Sequence, residues 1–196
     1  MTGMHKKIII AITGASGSIY ARILMESVLR HDSIKEIAVI FSSNGKAVAE
    51  YENAEISLAD RRVRVFGNDD MFAAPASGSA GYDAMVIVPC SMGTTGRIAA
   101  GTSGDLISRA ADVMLKERRR LIVVPRETPL STIHLRNMAT LSECGAVILP
   151  ASPSFYSRPV NIEQLCGTVV ERIMMLLGFD SPKYEWGAET RKDESL

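Results

Sequence analysis

The chain has 196 residues, 46% of them hydrophobic, and its 22 lysines and arginines are balanced by 22 aspartates and glutamates. That length supports one sizeable core without a linker, and the even charge excludes the broad basic surface of a nucleic-acid binder, so any electropositive site must be local. Cys90, Cys144 and Cys166 are scattered and form no CxxC, which excludes a disulfide framework or zinc knuckle. Residues 1–7 lack the apolar core of a signal peptide, and no stretch approaches the roughly 20 residues of a membrane span. The expectation is a single cytoplasmic domain over 1–180 with a polar tail at 181–196, and no metal, nucleic-acid or membrane partner.

Residues 8–12 are apolar at consecutive positions, as in a strand covered on both faces of a parallel sheet. They run into Gly14-Ala15-Ser16-Gly17 and then into helically spaced Ile19, Ile23, Leu24, Val28 and Leu29. A strand, a glycine turn and a helix start leave backbone N–H groups and a helix dipole free for an anion, most often phosphate. Residues 37–41 are a second buried strand, which makes a βαβ unit. The dinucleotide fingerprint is missing, however, because the glycine pattern is not GxGxxG and the second strand ends at Ser42-Ser43-Asn44-Gly45 instead of an acid. A mononucleotide phosphate fits better.

Residues 45–55 read as helix, 62–66 as a short alternating strand and 67–70 as a turn. The loop Ala73-Ala74-Pro75-Ala76-Ser77-Gly78-Ser79-Ala80-Gly81 is small and flexible; it either lines an apolar pocket or merely connects. A third apolar strand at 84–88 ends at Pro89-Cys90-Ser91-Met92-Gly93-Thr94-Thr95-Gly96, a second candidate cradle for phosphate or for the polar rim of a ring. Residues 105–119 make the clearest helix, and Arg109 and Lys116, seven apart on it, return to almost the same face. A fourth strand at 121–124 delivers Pro125-Arg126-Glu127-Thr128-Pro129 to its carboxyl end, where ligands sit in open α/β sheets. Helix at 132–143, a fifth strand at 146–149, an irregular loop with Phe155, Tyr156 and Arg158, and a final helix at 161–177 carrying Arg172 complete the chain. The alternation predicts a doubly wound parallel α/β sheet of Rossmann-like type.

The strand ends gather Ser16, Ser42, Ser91, Thr94, Arg126 and Glu127, and Arg109, Lys116, Tyr156 and Arg172 could join them around a phosphate. There is no nucleophile elbow, HExxH or Walker motif, and His5, His31 and His134 lack metal-ligand spacing.

Gly14-Ala15-Ser16-Gly17, Pro75-Ala76-Ser77-Gly78-Ser79, Pro89-Cys90-Ser91, Arg109-Ala110-Ala111-Asp112, Leu115-Lys116-Glu117-Arg118-Arg119, Pro125-Arg126-Glu127-Thr128-Pro129 and Gly145-Ala146-Val147-Ile148-Leu149-Pro150 occur in one register over roughly residues 6–180. Together they resemble the UbiX-type flavin prenyltransferases. The resemblance implies an enzyme that joins a dimethylallyl group from dimethylallyl phosphate to N5 and C6 of reduced FMN. The product, prenylated FMN, would serve a UbiD-type decarboxylase, and the assembly would be a homo-oligomer, a dodecamer in the family. Carried over by motif, Gly14, Ala15, Ser16, Ser42, Ser91, Met92, Gly93, Thr94 and Arg126 would bind FMN. Glu52, Arg109, Lys116, Tyr156 and Arg172 would hold the dimethylallyl phosphate. Ser16, Glu127 and Lys116 would carry the chemistry, metal-independently. The sequence departs from the family at Met71-Phe72, where an aromatic residue often precedes the Pro-Ala-Ser-Gly-Ser loop, so the pocket wall is expected to differ. Flavin-dependent cysteine decarboxylases are a rival resemblance, but their catalytic His and Asn-bearing loop are missing. An FMN carrier or accessory subunit is the other alternative; it needs one phosphate site, whereas this sequence offers cations for two.

Overall fold

Six apolar segments become six parallel strands, in the spatial order β3-β2-β1-β4-β5-β6. They are β1 (Lys6–Ile12), β2 (Ile34–Phe41), β3 (Val63–Gly67), β4 (Ala84–Cys90), β5 (Arg120–Pro125) and β6 (Val147–Ile148). The helices between and after them are α1 (Ser18–Leu29), α2 (Ser43–Tyr51), α3 (Met92–Ala99), α4 (Leu106–Lys116), α5 (Thr132–Glu143) and α6 (Ile162–Leu176). This computed structural model describes residues 6–179. His5 and the tail expected at 181–196 lie outside the described residues.

The unbroken apolar runs follow from the layering. Ile8, Ile10 and Ile12 pack into one core with α1 and α6, while Ile9 and Ala11 face a second core built with α3, α4 and α5. Past Lys6 and Lys7 both faces of β1 are covered, which leaves no place for a polar side chain, and residues 8–12 are all fully buried. In register, Ile10 sits between Val39 of β2 and Val86 of β4. Strand order reverses between β1 and β4, so a crevice opens there beyond the carboxyl ends of the strands.

Local signals place most of the helix ends. Asp105 caps α4 and Ser131 caps α5, each with a reciprocal capping box, and the Asn161 side chain caps α6. Two elements depart from the sequence reading. The candidate cradle after the third strand continues into a helix, α3, whose two glycines and two threonines make a poor helix by propensity. It forms because Ser91 caps it and because it packs against α5. The 73–81 segment contains two 3-10 turns, Ala74–Ala76 and Gly78–Ala80, with Ala73 and Pro75 buried against the second core.

Candidate functional site

The carboxyl ends of β1 and β4 are stapled together by a residue that the sequence reading passed over. Thr13, 1% exposed, donates from Oγ1 to the Pro89 carbonyl at 2.9 Å and accepts there from the Ser91 amide at 2.8 Å. The hydroxyl therefore satisfies one donor and one acceptor exactly where the two strands part. The only sequence signal for it was a buried polar position at the end of an apolar run.

Around this staple the strand-end residues converge. Ser42 ends β2, caps α2 by accepting from the Gly45 amide at 3.0 Å, and donates its own amide to the Ile12 carbonyl at 3.0 Å. Gly45 permits this closeness, since a Cβ there would collide with the Ile12 carbonyl oxygen; a Cβ on Gly14 would likewise lie 2.5 Å from that of Asn44. Ser91 caps α3, its Oγ 3.1 Å from Thr94 Oγ1 and 3.4 Å from the Thr94 amide. From β5, Arg126 donates through Nε to the Ser16 carbonyl at 3.0 Å, which fixes the glycine turn to the Pro-Arg-Glu-Thr-Pro segment. Glu127 beside it is exposed and accepts from the Thr128 amide at 3.1 Å. Cys90 is wholly buried among these elements, and burial pushes its thiol up to about 12, so it is inert at neutral pH.

The glycine turn itself differs from the expected anion cradle. The Glu52 carboxylate, from the end of α2, accepts from the Gly17 amide at 3.0 Å and the Ser18 amide at 2.7 Å. Burial alone would raise the Glu52 pKa, but the Ser16 hydroxyl and the Ser18 and Gly17 amides outweigh it, and the carboxyl lies below its usual range. The N-terminus of α1 is thus already neutralised by the protein's own anion. The starts of α2 and α3, where Ser43, Asn44 and Gly93 are exposed, are two further helix N-termini with donors to offer an anion. A cavity of about 360 Å³, lined by Ser16, Gly17, Ile19, Arg22, Glu52, Asn53 and Ala54, opens beside the Glu52 contact. Serine hydroxyls, bare glycine backbone and two capped helix starts at one crevice suit a flavin mononucleotide.

The four phosphate candidates do not converge within one chain. Arg109 and Lys116 share a face of α4 as their spacing predicts, and both border the 76–78 backbone. Arg109 donates through Nε to the Ala76 carbonyl at 3.1 Å and through Nη1 to Asp112 at 2.8 Å. Lys116 pairs with Glu117, whose carboxylate is packed against Gly78. Arg172, however, is on α6, across the sheet from α4, and its recorded contact is Met175 Sδ at 3.8 Å. Lys116 ends the helix that leads into the amino end of β5, away from the crevice. Tyr156 is exposed in the loop after β6, on the side of the strand ends. Among the described residues no group of three or more His, Cys, Asp or Glu is placed to hold a metal ion, and no helix is long and apolar enough to cross a membrane.

The family described as Flavoprotein matches residues 2–174. The chain is 44% identical over 185 residues to the flavin prenyltransferase UbiX of Methanocaldococcus jannaschii, covering 92% of this chain and 98% of that one. It is 48% identical over 178 residues to the same enzyme of Thermoplasma acidophilum, covering 88% and 94%. Among solved structures, AnUbiX (PadA1) in complex with FMN and dimethylallyl pyrophosphate is 41% identical with a TM-score of 0.84, over 93% of this chain and 99% of that one. A dodecameric FMN-dependent UbiX-like decarboxylase from Escherichia coli O157:H7 is 36% identical with a TM-score of 0.86, over 92% and 98%. A PPC decarboxylase mutant at 14% identity and a TM-score of 0.64 shares the fold alone.

Proposed function

Because the chain belongs to the UbiX family of flavin prenyltransferases, we infer that it transfers a dimethylallyl group from dimethylallyl phosphate to N5 and C6 of reduced FMN, releasing phosphate. The product passes to a UbiD-type decarboxylase. The observation that carries this reading is the Arg126 contact on the Ser16 carbonyl, which brings a serine-bearing turn and an Arg-Glu pair to the same crevice.

FMN rests on the strand ends. Its phosphate takes donors from the α2 and α3 caps, and Gly14, Ala15, Ser16, Ser42, Ser91, Met92, Gly93, Thr94 and Arg126 line it. Transfer of an allyl group needs the departing phosphate stabilised in a water-poor space while positive charge develops on the carbon that leaves it. Arg109, Lys116, Tyr156 and Arg172 supply that stabilisation, and Glu52 holds the Ser16 turn in place. Glu127, exposed just past the end of β5, takes up the proton that the flavin releases when the ring closes, with the Ser16 hydroxyl passing it on.

A site needing α4 and α6 together is completed between copies of the chain, so the active species is a homo-oligomer. The dodecameric relative supports this, as do the exposed Phe72, Ile133, Phe155, Val160 and Ile162. Three free cysteines suit a reducing cytoplasm.

The test incubates the protein anaerobically with reduced FMN and dimethylallyl phosphate and follows the flavin by mass. The wild type converts FMN to a species heavier by one prenyl unit, and Glu127→Gln slows this by about 100-fold or more. FMN unchanged by the wild type sinks the reading.

A further inference from the structure

Arg97 has no part in the assignments above, yet its guanidinium turns toward the site. It stands in the last turn of α3, and helical side chains lean toward their own N-terminus. Its Nη2 donates to Thr94 Oγ1 at 3.2 Å, and its Nη1 lies beside Gly93, 3.8 Å from where a Cβ would stand. Its Nε faces Asp105 Oδ2 at 3.4 Å. Asp105 is in turn the cap of α4, accepting from the Ser108 amide at 2.8 Å. The cation is therefore held between the caps of α3 and α4.

Counting protons gives this contact a consequence. Thr94 Oγ1 accepts from Arg97, and the acceptor recorded for its own proton among the described residues is Ser91 Oγ. With Thr94 as the donor of the pair, Ser91 Oγ accepts from the Thr94 hydroxyl and amide, which leaves its own proton unspent on a half-buried side chain. Without the guanidinium either hydroxyl of the pair can donate to the other; a charged donor on Thr94 polarises the pair in one direction. We propose that Arg97 is a positioning residue of the flavin site, acting through Thr94 so that the Ser91 hydroxyl presents its proton to an acceptor oxygen of FMN. The inference rests on the FMN site proposed above.

The test is titration of the full-length protein with FMN and with riboflavin, read by quenching of flavin fluorescence, for the wild type, Arg97→Gln, Arg97→Lys, Thr94→Val and Arg97→Gln/Thr94→Val. Arg97→Gln is expected to raise the FMN Kd about 5-fold, the worth of one net hydrogen bond. Arg97→Lys, which keeps the charge and a donor, recovers most of that loss. Thr94→Val costs a similar factor, and the double variant binds no worse than Thr94→Val alone, because both changes break one chain of bonds. A merely structural Arg97 would lower the melting temperature without this non-additivity. A loss with FMN alone assigns the Ser91 proton to the phosphate, and an equal loss with riboflavin assigns it to the ring or ribityl chain. Arg97→Gln binding FMN as tightly as the wild type, a lysine that restores nothing, or single losses that multiply in the double variant would each overturn the proposal. Wild-type protein that fails to quench FMN overturns the flavin reading instead.

Discussion

Glu52 shows how one carboxylate redirects a whole turn. Its contacts with the Gly17 and Ser18 amides do for α1 what a capping side chain does elsewhere, and Gly17 itself, at φ 110°, carries no side chain to do so. The folded-state pKa of Glu52 is depressed, so its contribution is present above the unfolded-state value and is lost as pH falls through the folded one. Glu52→Gln should destabilise the protein by about 1 kcal/mol at neutral pH, the usual scale for an N-cap. The gap between wild type and variant should narrow as the pH drops below about 4. Thermal melts at both pH values check this; a gap that widens in acid contradicts the assigned role. Gly45 makes a different demand, of space. Gly45→Ala should cost about 1–3 kcal/mol as α2 is pushed off the end of β1, and a denaturant titration would reveal it as a lowered midpoint.

At the scale of elements, the crevice depends on β1 and β4 ending in step, and Thr13 holds them so. Thr13→Val keeps the shape and the Thr13 amide's bond to the Pro89 carbonyl but leaves the Ser91 amide without its partner, a loss of about 1–3 kcal/mol. Because the Ser91 amide begins α3, FMN affinity should fall as well, by about 10-fold. Thr13→Ser, which keeps the hydroxyl, should restore the affinity while giving up some packing. Flavin titration of both variants decides whether the staple serves the site or only the sheet. The short strand β6 and the weak helix α3 are also tertiary products. Val147 and Ile148 pair with β5 over two residues, and α3 leans on α5 through Gly96, close to Asn137.

For the whole molecule, the proposed site calls for more than one copy, because the sheet separates its cations. Arg109 and Lys116 on α4 belong to one side of it and Arg172 on α6 to the other. If the site is assembled from different copies, Lys116→Ala and Arg172→Ala should each be inactive alone. Mixed, after dissociation and reassembly, they should recover about a quarter of wild-type activity, since some sites then receive intact helices from both parents. No recovery in mixed oligomers that are verified by mass would overturn a site shared between copies. Dilution below the assembly threshold should abolish prenyl transfer in the wild type in the same way.

The sequence by itself determined the layered α/β sheet, because a strand buried on both faces must be apolar at every position, and residues 8–12 and 84–88 could be nothing else. It also determined the strand-end serines, glycines and Arg126, since ligands gather where parallel strands stop, and the family motifs fell on those same ends. Only the tertiary structure decided who neutralises the first helix. Glu52 lies 35 residues from Gly17, and no local pattern links them. It likewise decided the Thr13 staple and the Arg97 contact with Asp105, and it put the cations of α4 and α6 on opposite faces. Such pairings depend on which strand lies beside which, and periodicity along the chain is blind to that.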